Sequence, residues 1–328
     1  NTKKWATSGA RSGMLTVMAR CTITDPKTGK EHSRFNALIV TPDMEGVDIF
    51  SANRAKCGIR GTWQARIRFT NVKVPVANLL HEEGKGINVA LTCLNWGRCT
   101  LSAGMVGAGR TALDQATKWS QYRVQFNRPI GEFDLVKERL ARMSSWVYAM
   151  ESMLYMTTGI IDREDEDIML ETAICKLFCS EAGWRVIDDA VQIHGGKGYM
   201  RKDGLERLLR DARINRIVEG ATEVITSFVA LMGMKGVGED LEQVLHAARN
   251  PIGNLGRIAQ FAHQEWRDVV IGPHCKGLHP KLAGEGRNLA RLTRELARSV
   301  RRILARHQQK ILDLQLLHSR VTWAAVEI

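Results

Sequence analysis

Three strings in the 328-residue chain carry residue types that could do chemistry. In Gln192-Ile193-His194-Gly195-Gly196-Lys197-Gly198-Tyr199, glycines without a Cβ would let backbone N–H groups approach an anion, and a lysine adds charge. It is no Walker loop, because no Gly-Lys-Ser/Thr follows four variable residues; taken alone it reads first as a helix C-cap and turn. Glu219 stands in Arg216-Ile217-Val218-Glu219-Gly220-Ala221-Thr222, at a glycine that interrupts two apolar helical stretches. A carboxylate among Ile217, Val218 and Ala221 would be poorly solvated and therefore a stronger base. Taken alone it reads first as an acid in the solvated first turn of the next helix. Arg123 and Arg128 flank Phe126 in Tyr122-Arg123-Val124-Gln125-Phe126-Asn127-Arg128-Pro129, a guanidinium fork beside an aromatic that suits a diphosphate-bearing planar group or is a surface cation in a loop. Trp5-Ala6-Thr7 also offers a ring edge and a hydroxyl, but three residues are too few to assign a role on their own. His194 has no Ser or Cys partner at a recognisable spacing, which leaves nucleophilic catalysis without support. Cys175 and Cys179 share a helix face but lack a second Cys/His pair, so they read as small buried apolar residues and no metal site is expected.

The elements that must hold these residues change character along the chain. Up to Val74-Pro75 the pattern is β: Met14–Ala19 and Phe35–Val40 are apolar runs, Asp25-Pro26-Lys27-Thr28-Gly29 is a turn, and Arg66–Phe69 alternates. After Gly84-Lys85-Gly86 apolar residues recur at three- and four-residue steps. This predicts helices over Ile87–Trp119, Phe133–Ile161, Met169–Ile193 and, broken at Gly220, Arg207–Leu231. Four such segments with short connections imply an antiparallel bundle. Asn250-Pro251-Ile252-Gly253-Asn254 then punctuates the chain, and a single basic helix is expected from Lys281 to about Val326. Its apolar stripe would be Leu289, Leu292, Leu296, Val300 and Ile303.

Composition narrows the field. Apolar residues make up 44% and charged residues 25%, a globular balance, and no apolar run approaches the roughly 20 residues of a membrane-spanning helix. The net charge of +12 is concentrated: residues 281–310 hold nine Lys/Arg against two Glu. That helix reads as a packed element with a solvated cationic face, as a membrane-surface helix, or, last, as a nucleic-acid contact, which the lack of stacking aromatics disfavours. Seven cysteines at irregular spacings point to a reducing compartment. The chain opens at Asn1 with no Met, secretory h-region or Arg/Ser-rich presequence, and we expect a fragment or a processed product.

Taken together the strings resemble the acyl-CoA dehydrogenase family, most closely its very-long-chain branch, across essentially the whole chain. The matching motifs run in order: Lys4-Trp5-Ala6-Thr7-Ser8-Gly9, Lys56-Cys57-Gly58-Ile59-Arg60, Val74-Pro75, Asn95-Trp96-Gly97-Arg98 and Arg123-x-x-Phe126. Then come Gln192-x-x-Gly195-Gly196-x-Gly198, Arg210-Asp211-Ala212-Arg213 and Val218-Glu219-Gly220, with residues 250–254 resembling the start of the very-long-chain extension. The resemblance implies an α+β, mostly α fold: a partial middle β-barrel domain over residues 1–80, a four-helix-bundle domain over 81–236 and an incomplete helical extension over 237–328. It implies FAD as cofactor and a fatty acyl-CoA as substrate. It also implies Glu219 as the base that takes an α-proton, while hydride leaves the β-carbon to give a trans-2-enoyl-CoA. Trp5 and Thr7 would border the flavin, with residues Ala221, Thr222 and Glu223 nearby. Arg123 and Phe126 would reach the FAD of a neighbouring subunit, and Gln192, Gly195 and Gly196 its adenosine and diphosphate. Asn95, Arg98 and Gly220 would border the thioester. A homodimer and electron transfer to an electron-transfer flavoprotein follow from the same resemblance, with no nucleic acid as partner. The location would be the mitochondrial matrix or inner-membrane surface in a eukaryote, with peripheral contact through the basic helix, or the cytoplasm in a bacterium. Ala221 stands where the family has Thr, with a hydroxyl one place later at Thr222, and Cys57 where it has Met. The family's N-terminal helical domain would lie upstream of Asn1, so activity is expected only within a longer chain or complex. The alternative is an assembly subunit of a respiratory complex that keeps this fold with impaired catalysis.

Overall fold

The structure, a computed structural model, describes residues 1–53, 55–163, 168–249, 256, 263, 273–275 and 277–328. The punctuation read at residues 250–254 lies outside them. The chain divides into two compact units, Asn1–Ile168 with Cys179–Glu219, and Met169–Phe178 with Gly220–Ile328.

The first unit begins with two three-stranded antiparallel sheets. One has the order β1 (Thr2–Ala6), β5 (Gln64–Phe69), β4 (Val47–Asn53); the other has β2 (Leu15–Thr24), β3 (Glu31–Val40), β6 (Leu79–Leu80). The alternation expected in Arg66–Phe69 is realised: Ala65 and Ile67 are buried while Arg66 and Arg68 face out. The Asp25–Gly29 turn closes the β2–β3 hairpin. Asp25 accepts a hydrogen bond from the Lys27 N–H at 2.8 Å, and these local bonds hold its carboxyl below the usual carboxylate range. Both strands run longer than their apolar runs, because residues 20–24 and 31–34 form a mostly polar arm beyond the core.

Helix α1 (Gly86–Tyr122) follows, after Gly84 donates its N–H to Asn36 Oδ1 on β3 at 2.6 Å. A two-residue hairpin, β7 (Val124–Gln125) and β8 (Arg128–Pro129), turns the chain into α2 (Asp134–Asp162). Helix α3 (Met169–His194) crosses from the second unit into the first at Phe178. Met105, Met143, Val147, Met150 and Val186 from α1, α2 and α3 are buried. Short α4 (Gly196–Tyr199) and α5 (Leu205–Ala212) complete this unit. The stretch Arg207–Leu231 is broken at Gly220 as expected, and the break is wider: α5 ends at Ala212, a 3-10 turn spans Arg213–Arg216, and α6 (Thr222–Arg249) starts beyond Gly220.

In the second unit α6 packs with α7 (Ala283–His307) and α8 (Gln315–Glu327). Ala173, Leu177, Ile225, Val229 and Val326 form one buried cluster, and Ala230, Met234, Val300, Ile311 and Val321 another. The single basic helix expected to Val326 is broken: a 3-10 segment, Gln308–Asp313, separates α7 from α8, and Gln308 takes a left-handed φ of +47°. Leu296, Val300 and Ile303 of the α7 stripe pack into the second cluster, so the apolar face a membrane-surface helix would need is used inside the protein and only Leu289 and Leu292 stay open. Among the described residues no helix is long and apolar enough to cross a membrane.

Candidate active site

Glu219 sits on a backbone that few sequences adopt. Its φ is +57° and that of Gly220 is +100°, two successive left-handed residues between the 3-10 turn and α6. A non-glycine residue in that region stores strain of about 1–3 kcal/mol, and such strain concentrates at functional sites. The Glu219 carboxylate lies against α1 at Gly97. A Cβ at Gly97 would stand 2.9 Å from Oε2 and 3.1 Å from Oε1, so only glycine leaves room there. Glu219 Oε2 is buried and accepts no hydrogen bond, leaving an oxygen with a free lone pair. One turn of α1 supplies the charged neighbour: Arg98 is 6% exposed and its Nη1 donates to Asn95 Oδ1 at 3.4 Å. Burial pulls the Arg98 guanidinium below its ordinary value, and the Glu219 charge pushes it back up. The expected base and the expected substrate contacts Asn95 and Arg98 therefore do come together, on α1 and the strained turn.

Trp5 and Thr7 lie at the end of β1. Lys3 pairs with Ile67 and Ala6 with Ala65, so β1 carries one extra residue here, and Trp5 absorbs it at φ +63°. The bulge throws the indole outward, 68% exposed. Thr7 Oγ1 accepts from Gln64 Nε2 at 3.0 Å, a partner that sequence reasoning missed.

The remaining candidates gather at the C-terminal end of α1. Arg123 caps the helix, its N–H donating to the Trp119 carbonyl at 2.8 Å, and its side chain is exposed. Phe126 and Asn127 form the hairpin turn with φ +49° and +63°, the primed geometry that matches strand twist, and the Phe126 ring is 85% exposed. Trp119 stacks on His194 with ring centroids 5.5 Å apart, and Lys197 Nζ lies 4.4 Å from the indole centroid. His194 Nδ1 is also 2.8 Å from the Ala190 carbonyl, so this histidine is structural. Gly195 ends α3 at φ +61°, and neither Gly195 nor Gly196 has a heavy atom within 4 Å of where a side chain would start. Gln192 is exposed beside them. The helix C-cap reading of the string thus holds, and its backbone is open to a ligand.

In the second unit, Gly220 accepts a 2.6 Å hydrogen bond from Lys176 Nζ, a lysine with no exposed surface. Sequence reasoning missed it; a lysine inside Ala173–Leu177 was the available signal. Ala221 accepts the Ile225 N–H at 2.9 Å and Thr222 opens α6. Exposed Glu223 lies in the first turn, where an acid favours the helix dipole.

Comparison with known proteins matches residues 1–72 to the acyl-CoA dehydrogenase middle domain and residues 84–234 to the acyl-CoA dehydrogenase C-terminal domain. The chain is 36% identical over 330 residues to the human mitochondrial very long-chain specific acyl-CoA dehydrogenase, covering 99% of this chain and 50% of that protein. A crystal structure of an acyl-CoA dehydrogenase complexed with FAD, from Bacillus anthracis, superposes with a TM-score of 0.76 at 28% identity, covering 99% of this chain and 54% of the other. Butyryl-CoA dehydrogenase from Megasphaera elsdenii superposes with a TM-score of 0.63 at 32% identity, over 70% of this chain and 58% of the other. The chain spans about half the length of the curated relatives it matches.

Proposed function

Because the chain belongs to the acyl-CoA dehydrogenase family, matched in order by its middle and C-terminal domains, we propose that it is the catalytic part of an FAD-dependent dehydrogenase of long or very long fatty acyl-CoA thioesters. The observation that carries this is the Glu219 carboxylate, held on Gly97 with Oε2 buried and unbonded. Removing a proton from a carbon acid needs a base that water does not solvate and that no other donor occupies. In this reading Glu219 takes the α-proton, and its own N–H polarises the thioester carbonyl as charge builds on that oxygen. Arg98, buried on α1, is the charged neighbour of that carboxylate. Asn95 and Gly220 border the thioester.

The residues present fit a flavin dinucleotide: an outward indole at Trp5, the Thr7 hydroxyl, an exposed Arg123 beside exposed Phe126, and open backbone at Gly195–Gly196 next to Gln192. Bound FAD would supply the acceptor for the hydride that leaves the β-carbon. Ala221, Thr222 and Glu223 follow the base directly in the chain, and the family resemblance would put them near the flavin. Residues 1–80 would form the partial middle β domain, 81–236 the helical-bundle domain and 237–328 the extension. The reduced enzyme would pass its electrons to an electron-transfer flavoprotein, in mitochondria or, for a bacterial protein, the cytoplasm. The packed and charged surroundings of Glu219 support catalysis over an assembly role. Glu219→Gln tests the reading: flavin absorbance should persist while reduction by a long-chain acyl-CoA falls by roughly 10²–10⁴-fold. Near wild-type reduction in that variant removes Glu219 from the role.

A further inference from the structure

We propose that the N-terminal half of α7 and the turn before it form a binding site for a phosphate-bearing anion, separate from the residues assigned to dehydrogenation. A cavity of about 460 Å³ opens there, lined by Arg287, Arg291 and Arg294 together with His274, Cys275 and Gly286. The arginines are spaced by four and three residues, which places them on one face of the helix, where like charges on neighbouring turns repel. Carboxylates relieve little of that repulsion: Arg291 pairs with Glu295 at 2.9 Å, and both side chains of the pair remain more than half exposed.

Arg294 gives the cavity its chemistry. Its Nε is buried and has no hydrogen-bond partner. A solvated cationic face would leave that N–H in water. Here it is withdrawn from water and unpaired, a cost that a shift of this cavity-lining side chain onto an acceptor would recover. The first turn of α7 adds little to that field, since the Ala283 N–H already donates to the Pro280 carbonyl and Glu285 lies in the turn. Planar guanidinium forks favour a tetrahedral, multiply charged oxyanion over a single carboxylate. The volume exceeds that of inorganic phosphate and leaves room for an organic group carried on a phosphate or diphosphate. Such a group could come from a soluble metabolite or from a lipid headgroup that reaches into the cavity.

Calorimetric titration of the 328-residue chain with pyrophosphate at low ionic strength tests the site. Saturable one-to-one binding is expected. Arg294→Ala should raise Kd at least tenfold and Arg287→Ala, at an exposed position of the rim, at least threefold. Arg298→Ala, on the same helix but outside the cavity lining, should leave Kd within twofold. Circular dichroism checks that each variant folds; if Arg294→Ala does not, Arg287→Ala decides. Flotation with phosphatidic-acid vesicles separates the sources. Capture by vesicles without pyrophosphate binding, abolished by the same two substitutions, assigns the site to a headgroup. Absence of both kinds of binding overturns the proposal, and so does an equal loss in Arg298→Ala, which would reduce the effect to general basicity.

Discussion

Gly97 and Glu219 depend on each other at the scale of single residues. In an exposed helix interior glycine costs about 1 kcal/mol relative to alanine, so Gly97→Ala should be neutral or slightly stabilising for α1 itself. The new methyl carbon, however, would lie 2.9 Å from Glu219 Oε2, and the carboxylate must leave its place. We expect an unfolding temperature at or above wild type together with a loss of dehydrogenation of at least tenfold, measured by differential scanning calorimetry and flavin reduction. Lys176 gives the opposite signature. Replacing it with Met leaves the Gly220 carbonyl without its 2.6 Å donor, a penalty of about 1–3 kcal/mol, so thermal stability should fall. Glu219 was legible as a candidate because its apolar neighbours are adjacent in the chain. Lys176 was not, because a lysine in an apolar helical run reads as a side chain reaching for solvent, and its acceptor lies 44 residues away.

Elements were legible where one periodicity persists, and opaque where the decisive contact is distant. The three long helices α1, α2 and α3 fall within a few residues of the expected bounds, since three- and four-residue spacing continues uninterrupted through each. The break between α7 and α8 gave no warning, because Gln308 and Gln309 are neither glycine nor proline. His318, fully buried with Nε2 2.7 Å from the Ile311 carbonyl, ties α8 to the 3-10 segment before it. Strand β1 was unread because its bulge disrupts the alternation. The Lys56–Arg60 and Arg210–Arg213 strings stood out as separate motifs, yet they are one joint. Asp211 Oδ1 accepts the Ile59 N–H at 2.6 Å and Arg210 Nη1 donates to the Cys57 carbonyl at 2.9 Å. Gly58 lies so close that a Cβ would come 2.1 Å from the Arg210 carbonyl oxygen. Backbone on both sides cannot yield cheaply. Gly58→Ala should therefore cost about 1–3 kcal/mol and lower the unfolding temperature by several degrees in a calorimetric scan.

Across the whole molecule, helix α1 acts as a ruler. Glu219 rests on Gly97 near its start, while Arg123 closes its end, and 26 residues of helix span about 39 Å. At that separation the base and the Arg123–Phe126 hairpin of one chain need not serve the same cofactor molecule. If the two clusters serve different FAD molecules, each cofactor draws on two chains, and a two-fold homodimer presents two equivalent composite sites. The exposure of Tyr122, Phe126 and Tyr199, all at least 76%, fits a surface that a second copy covers. Mixing defective chains tests this arrangement directly. Glu219→Gln and Arg123→Ala should each be inactive alone. Co-expressed in equal amounts, they form mixed dimers in which one site inherits both defects and the other neither, restoring roughly a quarter of wild-type activity. A protein whose site lies within one chain cannot recover by mixing, because every chain carries one defect. Activity at background in purified mixed dimers would therefore sever the hairpin from the cofactor and leave Arg123 a surface cation.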